Sequence, residues 1–114
     1  MTRHDDRVRL QHMIDHAEEA VELSRGKDRE ALESDRLLQL ALTRLVEIVG
    51  EAAARVSPAG RQQFPGIPWQ EIVGLRNRLV HGYNAVDLDI LWSIVQIDLQ
   101  PLVKELRRGP EDQP

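Results

Sequence analysis

The sequence predicts an all-α protein, an up-and-down bundle of four main helices with a short extra helix. Apolar residues recur at steps of three and four through most of the chain, which is the spacing of one helix face. No stretch shows the strict alternation expected of a strand. At 114 residues the chain suits a single domain. We expect this domain to cover residues 1–108 and residues 109–114 to form a flexible tail.

The first half of the chain contains two predicted main helices. The first is expected over residues 3–25, with Gly26 as its stop. Residues 27–34 are charged and form either a connector or a short exposed helical turn. The second helix is expected over residues 35–56, and its apolar stripe is wide enough to be covered on more than one side. Small residues at 50, 52, 53 and 54 would let another backbone approach it closely.

The second half contains the short extra helix and two further main helices. Ser57-Pro58 is a good N-cap followed by proline at the first helical position, and predicts the short helix. Ile67-Pro68 begins the third main helix, which Gly82 is expected to end. Asn84 and Asp87 offer caps for the last helix, which runs to about residue 108. Pro101 should kink this last helix near Ile97. The expected core contacts of the third helix are Trp69, Ile72, Val73 and Leu79.

The composition limits the classes of function. The formal net charge of −4 argues against a protein that wraps around nucleic acid, although it leaves room for a local basic pocket. The absence of cysteine excludes thiol chemistry and agrees with a reducing cytosol. No apolar run approaches the ~20 residues of a membrane span, and the N-terminus is too polar for a signal peptide. We therefore expect a cytoplasmic protein. The basic residues that fall in one sequence region are Arg55, Arg61, Arg76, Arg78 and His81.

Most of the chemistry lies in one stretch, Arg76-Asn77-Arg78-Leu79-Val80-His81-Gly82-Tyr83. Arginine offers a planar fork of donors to phosphate oxygens, and histidine exchanges a proton near neutral pH. On an ideal helix Arg76 and His81 would point about 140° apart. Two copies related by a two-fold axis would place both groups in one cleft. In this cleft Arg76 would stabilise the charge that develops on a phosphorane, and His81 would act as acid or base in attack by an RNA 2′-hydroxyl. Tyr83 would orient either the phosphate or the His81 imidazole.

This stretch resembles the Arg-x4-His-x-Tyr motif of the HEPN superfamily, and the chain resembles the HepT-like toxins of bacterial and archaeal toxin–antitoxin pairs. The likeness includes residues 48–53 and 67–75 upstream and 86–92 and 98–102 downstream. It implies a HEPN-type helical homodimer and a metal-independent endoribonuclease without a cofactor, with Arg76 and His81 catalytic. It also implies an MntA-like nucleotidyltransferase antitoxin that can adenylylate Tyr83. The added negative charge would repel RNA.

Several other residues have two possible interpretations. Glu51 either holds Arg76 or tunes His81, or it lies on a solvated or dimer-rim face; Glu47 is a weaker candidate. Asn77 is the polar neighbour usual in the superfamily. Arg78 either contacts phosphate or pairs with an acidic side chain at the surface, and Arg61 is a weaker case of the same.

A metal site at His12 and His16, four residues apart on the first helix, is less favoured than a solvated face. Trp69 and Trp92 are expected in the core or an interface rather than stacked on a base.

The alternative function is a catalytically silent helical module that binds a nucleotidyltransferase partner or a nucleotide. It predicts partner binding without RNA turnover. A simple dimerising scaffold is a third possibility, in which changing Arg76, His81 and Tyr83 together does little beyond a small effect on stability.

Overall fold

The computed structural model describes residues 4–80 and 85–110, and this part of the chain is helical with one isolated β-bridge between Val80 and Val86. The all-α prediction is confirmed. The helices are α1 (His4–Ser24), α2 (Arg29–Ser34), α3 (Arg36–Ala54), α4 (Pro58–Gln62), α5 (Trp69–Val73), α6 (Leu75–Leu79), α7 (Leu88–Ser93) and α8 (Leu99–Arg108), with a π-helical turn at Ile94–Asp98 between the last two.

Short-range signals set several helix ends as predicted. Gly26 follows α1 with a φ of +75°, a conformation that glycine adopts without strain. The Ser57 side chain caps α4 by accepting a hydrogen bond from the Gly60 N–H at 3.1 Å. Asp87 caps α7 in the same way through the Ile90 N–H at 3.0 Å. Residues 29–34 of the charged connector form a helix, α2, whose N-cap is Asp28.

The core lies around α3, which packs against α1, α2, α5, α6, α7 and the π-helical turn. This confirms the prediction of a central helix covered on several sides. The start of α1 meets the end of α3, because the buried Asp6 carboxylate accepts hydrogen bonds from the backbone N–H and the hydroxyl of Ser57 at 2.8 and 2.6 Å. The largest fully buried side chains include Met13, Leu32, Leu42, Leu75, Leu79, Leu91, Ile94 and Leu99.

The last helix is interrupted where Pro101 predicts a disturbance. Proline has no N–H to give to the carbonyl four residues earlier, which belongs to Ile97. The chain forms the π-helical turn directly before α8, and the Leu99 N–H reaches back to the Ile94 carbonyl. Ile97 is left 66% exposed on this turn. In the described part of the chain, no helix is long and apolar enough to cross a membrane.

Candidate active site

The short helix α6 presents the predicted site residues to solvent. Leu75 and Leu79, one turn apart, are fully buried against the core. The three residues between them therefore point outward, and Arg76, Asn77 and Arg78 are all exposed. Two guanidiniums and an amide thus share one exposed turn held in place by two leucines.

The helix that carries these residues is shorter than predicted. It is interrupted at Gly74, between α5 and α6, and ends at Leu79 rather than at Gly82. Val80 has extended backbone and pairs with Val86, and the Leu79 carbonyl accepts a hydrogen bond from the Asp87 N–H at 2.9 Å. The ideal-helix angle between Arg76 and His81 therefore does not apply, because the chain leaves the helix before residue 81.

The position of α6 depends on a close approach between α5 and α3. A Cβ added to Gly50 would lie 3.2 Å from the Ile72 carbonyl oxygen and 3.6 Å from that of Val73. Only a residue without a side chain lets these backbones pack at this distance without a shift. This confirms the prediction that small residues on the second helix admit another backbone, here the segment that leads into the site.

Arg76 pairs with α3 through Glu47. The Arg76 Nε lies 3.7 Å from one Glu47 carboxylate oxygen, and Arg44 Nη1 lies 3.7 Å from the other. Glu47 is only 23% exposed, whereas the Arg76 and Arg44 side chains are 68% and 60% exposed. One partly buried carboxylate is thus shared by two solvent-facing guanidiniums.

Glu51 lies on a solvated face, which is one of its two predicted placements. It is 52% exposed, and its ion pair is with Arg44 at 3.4 Å. Arg76 is held by Glu47, the weaker candidate, which lies one turn earlier on α3. The signal in the sequence was the spacing of Arg44 and Glu47, which is that of a surface ion pair on one helix. The packing of α6 against α3 brings Arg76 to Glu47 rather than to Glu51.

Arg78 pairs with the π-helical turn. Its Nη1 donates to the Asp98 carboxylate at 3.1 Å, and both side chains are partly exposed. This ion pair joins α6 to the interrupted last helix. Asn77 is exposed between the two arginines.

A sequence model of the family described as "Ribonuclease HepT-like" matches residues 13–108. The chain belongs to the HepT-like ribonuclease family. This confirms the resemblance stated above, and it confirms the expected ribonuclease class at the level of the family.

Individual relatives of this HepT-like chain cover most of its length. It is 33% identical over 106 residues to a "Putative RNase" of Methanocaldococcus jannaschii, which covers 93% of this chain and 97% of that protein. It is 36% identical over 88 residues to a "Probable ribonuclease HepT" of Thermococcus cleftensis, covering 74% of this chain and 80% of the relative. No solved structure gives a significant match.

Two residues of the predicted motif, His81 and Tyr83, lie outside the described residues, as do the predicted stop Gly82 and the possible cap Asn84. The described neighbours on either side are Val80 and Ala85. The bridge from Val80 to Val86 joins the two ends of this segment beside α6.

Two other predicted residues have structural roles in this HepT-like fold. Arg61 donates to the Val56, Ala53 and Ala54 carbonyls at 3.1–3.3 Å, which satisfies the C-terminal end of α3. Its guanidinium also lies 5.7 Å from the ring centroid of Trp69. The Trp69 indole N–H donates to the Arg61 and Phe64 carbonyls. Arg61 is therefore occupied by backbone carbonyls.

Of the three histidines on α1, His12 and His16 are neighbours. Their ring centroids are 6.1 Å apart, and His16 Nδ1 lies 2.7 Å from the His12 carbonyl oxygen. Within residues 4–80 and 85–110 no group of three or more His, Cys, Asp or Glu side chains is placed to hold a metal ion.

Two surface cavities differ in charge. The larger, of about 930 Å³, lies between α1 and the last helix, and Asp15, Glu18, Glu19 and Glu22 line one side of it. This acidic wall would repel an RNA backbone. A smaller cavity of about 240 Å³ lies between α1 and the end of α3, and is lined by Arg9, His12, Ile48, Glu51, Ala52 and Arg55.

Proposed function

We propose that this chain is the ribonuclease toxin of a toxin–antitoxin pair and that it cuts RNA without a metal ion. Family membership supports the ribonuclease class. The observation that carries the proposal in this chain is the exposed turn of α6, where buried Leu75 and Leu79 hold Arg76 toward solvent in an otherwise acidic protein. His81 follows five positions later in the sequence.

The proposed reaction uses the RNA's own 2′-hydroxyl as nucleophile. Neutral His81 accepts the hydroxyl proton as the 2′-oxygen bonds to phosphorus. The bond between phosphorus and the 5′-oxygen breaks, and a protonated His81 of a second copy gives its proton to that leaving oxygen. Arg76 stabilises the charge that develops on the phosphorane oxygens. The products are a 2′,3′-cyclic phosphate and a 5′-hydroxyl.

The second copy is part of the proposal because α3 has an exposed face that suits self-association. This face lies on the first half of α3 and consists of residues spaced by three or four positions, so that they share one side of the helix: Leu37, Leu40 and Arg44. Leu37 is 79% exposed and Leu40 is 50% exposed, which is unusual for large apolar side chains on a central helix. The same helix pairs with Arg76 through Glu47, so a dimer formed along it brings two Arg76 side chains toward one cleft.

The proposed antitoxin is a nucleotidyltransferase that acts on Tyr83. Transfer of AMP to the phenol oxygen would add bulk and negative charge two positions after His81. The phosphate of the modified tyrosine would compete with RNA for the arginines of α6. Asn77, Arg78 and Glu51 are proposed to support RNA binding or the geometry of the site.

Cleavage of mixed cellular RNA in EDTA by the purified protein tests the proposal. We expect cleavage by the native chain and none by His81→Ala or Arg76→Ala, with products that end in 2′,3′-cyclic phosphate. His16→Ala is the matched control, because it removes an imidazole from α1 and leaves the motif unchanged. Equal cleavage by the native protein and His81→Ala would refute the assignment.

Absence of cleavage has one further explanation, which an intact mass resolves. A protein that already carries AMP on Tyr83 would be inactive and heavier, and Tyr83→Phe would then be active. An unmodified mass without cleavage would favour the alternative of a silent interaction module. The pairing of Arg76 and Arg78 with carboxylates of their own chain would then be their whole role.

A further inference from the structure

The smaller cavity, between α1 and α3, has the donors of an anion site. Arg9, His12 and Arg55 line it together with Glu51. Glu51 already pairs with Arg44, so its charge is balanced outside this group. Within the described part of the chain neither Arg9 nor Arg55 has a carboxylate within ion-pair distance. The cavity therefore combines two unpaired guanidiniums and an imidazole.

One of the residues that line this cavity, Arg9, has a buried donor without a partner. Arg9 Nε is shielded from solvent and forms no hydrogen bond within the described residues. An unsatisfied buried donor costs free energy, and more when it is charged. Other arginines, such as Arg29 and Arg107, form ion pairs with carboxylates at the surface. Arg9 has no such carboxylate among the described residues, which leaves its guanidinium available to an incoming anion.

The cavity lies in line with the proposed catalytic cleft. Its α3 residues extend from Ile48 to Arg55, and Glu47, which pairs with Arg76, directly precedes them. At a rise of 1.5 Å per residue, the distance along α3 from Glu47 to Arg55 is about 12 Å. This is within the span of a few nucleotides of a single strand. The two basic regions lie along the same side of one helix.

We propose that the Arg9–His12–Arg55 cavity is a phosphate subsite that binds the RNA backbone a few nucleotides from the scissile bond. This inference rests on the proposed ribonuclease function. Arginine donors fit the oxygens of a phosphodiester, and the volume of about 240 Å³ admits one such group with its water. The subsite holds longer RNA substrates and does not touch the reacting atoms.

The test compares two substrates and three variants. The variants Arg9→Gln and Arg55→Gln each remove one guanidinium from the cavity. Arg7→Gln is the matched control, because Arg7 is exposed on the same helix and does not line the cavity. The substrates are a dinucleotide, which reaches only the catalytic cleft, and an oligoribonucleotide long enough to reach the cavity.

We expect the cavity variants to raise KM for the oligoribonucleotide about tenfold with kcat unchanged, and to leave dinucleotide cleavage unchanged. The slope of log affinity against log salt should fall by about 0.7 for each arginine removed. Arg55 is exposed, so Arg55→Gln keeps the test valid if Arg9→Gln loses stability. Cavity variants that match Arg7→Gln on both substrates would overturn the inference.

A separate measurement distinguishes failure of this inference from failure of the ribonuclease proposal. If the native chain cleaves nothing, anisotropy of a labelled oligoribonucleotide in EDTA measures binding alone. Binding that Arg55→Gln weakens and Arg7→Gln does not would support the subsite without catalysis. Binding insensitive to Arg55 would overturn it. So would a loss of dimer in Arg55→Gln by sedimentation, since the cavity would then contact the second copy.

Discussion

Replacing Glu47 with glutamine tests whether the shared carboxylate positions Arg76. At 3.7 Å, opposite unit charges attract by about 1 kcal/mol in a medium with the dielectric constant of water. Because Arg76 is 68% exposed, screening reduces this to the range of surface ion pairs, about 0.2–1 kcal/mol. The variant should therefore lose less than about 1 kcal/mol of unfolding free energy and stay folded.

The effect on catalysis should be larger than the effect on RNA binding. A guanidinium loses rotamer freedom when it is held, and about 1 kcal/mol of lost orientation corresponds to about a fivefold fall in kcat. Removing a negative charge beside the cleft should leave KM for RNA unchanged or lower it. Glu47 would then be a positioning residue for Arg76.

The assay is steady-state cleavage of a defined RNA, with thermal unfolding followed by circular dichroism. Glu33→Gln is the control, because it removes a carboxylate that pairs with an arginine, Arg29, on α2, outside the motif. The difference between Glu47→Gln and the native protein should shrink at high salt, since salt screens the pair. A folded Glu47→Gln variant with native kcat, or with a loss no larger than that of Glu33→Gln, would refute the reasoning.

Three further predictions concern the framework around the site. Gly50→Ala places a methyl group 3.2 Å from a carbonyl of α5, so we expect lower activity together with a destabilisation of about 1–3 kcal/mol, measured by urea unfolding. Asp6→Ala removes two hydrogen bonds between α1 and Ser57 and should cost about 2–4 kcal/mol; a double-mutant cycle with Ser57→Ala should show strong coupling. The hydrogen bond from Arg107 holds the pKa of Glu18 below its usual 4.5, so the folded state binds fewer protons than the unfolded state. This stabilisation is present above pH 4.5 and is lost as pH falls through the lowered pKa, and Glu18→Gln should flatten the fall of Tm with pH there.

Each of these predictions has a contrary result. Native stability in the glycine variant would show that α5 moves aside without cost. Additive effects of the Asp6 and Ser57 substitutions would mean that the hydrogen bond between the Asp6 carboxylate and the Ser57 hydroxyl contributes no net stability. A pH profile of Tm that is unchanged by Glu18→Gln would assign acid sensitivity to other carboxylates.

Helices and caps were predictable because their causes are local. The apolar stripe of α3 and the caps at Ser57 and Asp87 depend on residues within a turn or two of each other. The interruption at Gly74, between α5 and α6, was not predicted. Local spacing gave no reason to end the helix before Gly82.

The candidate site was predictable in its residue types and less so in its partners. The motif identified Arg76 and its exposed neighbours as a candidate site, and they lie within residues 13–108, which the family model matches. The choice of Glu47 over Glu51 required the crossing of α6 over α3. The cavity at Arg9 was missed for the same kind of reason, since it forms only when the start of α1 lies against the end of α3.

The bridge between Val80 and Val86 lets the length of the segment between them change independently of the helical framework. Both ends of that segment are fixed to each other beside α6, so a change in its length need not move Arg76. Doubling the length of a flexible connection costs only about 0.6 kcal/mol in closure entropy. Insertions between residues 80 and 86 should therefore cost little in folding free energy, but they would change the spacing between Arg76 and the proposed catalytic His81, so selection on this segment acts on catalysis rather than on stability.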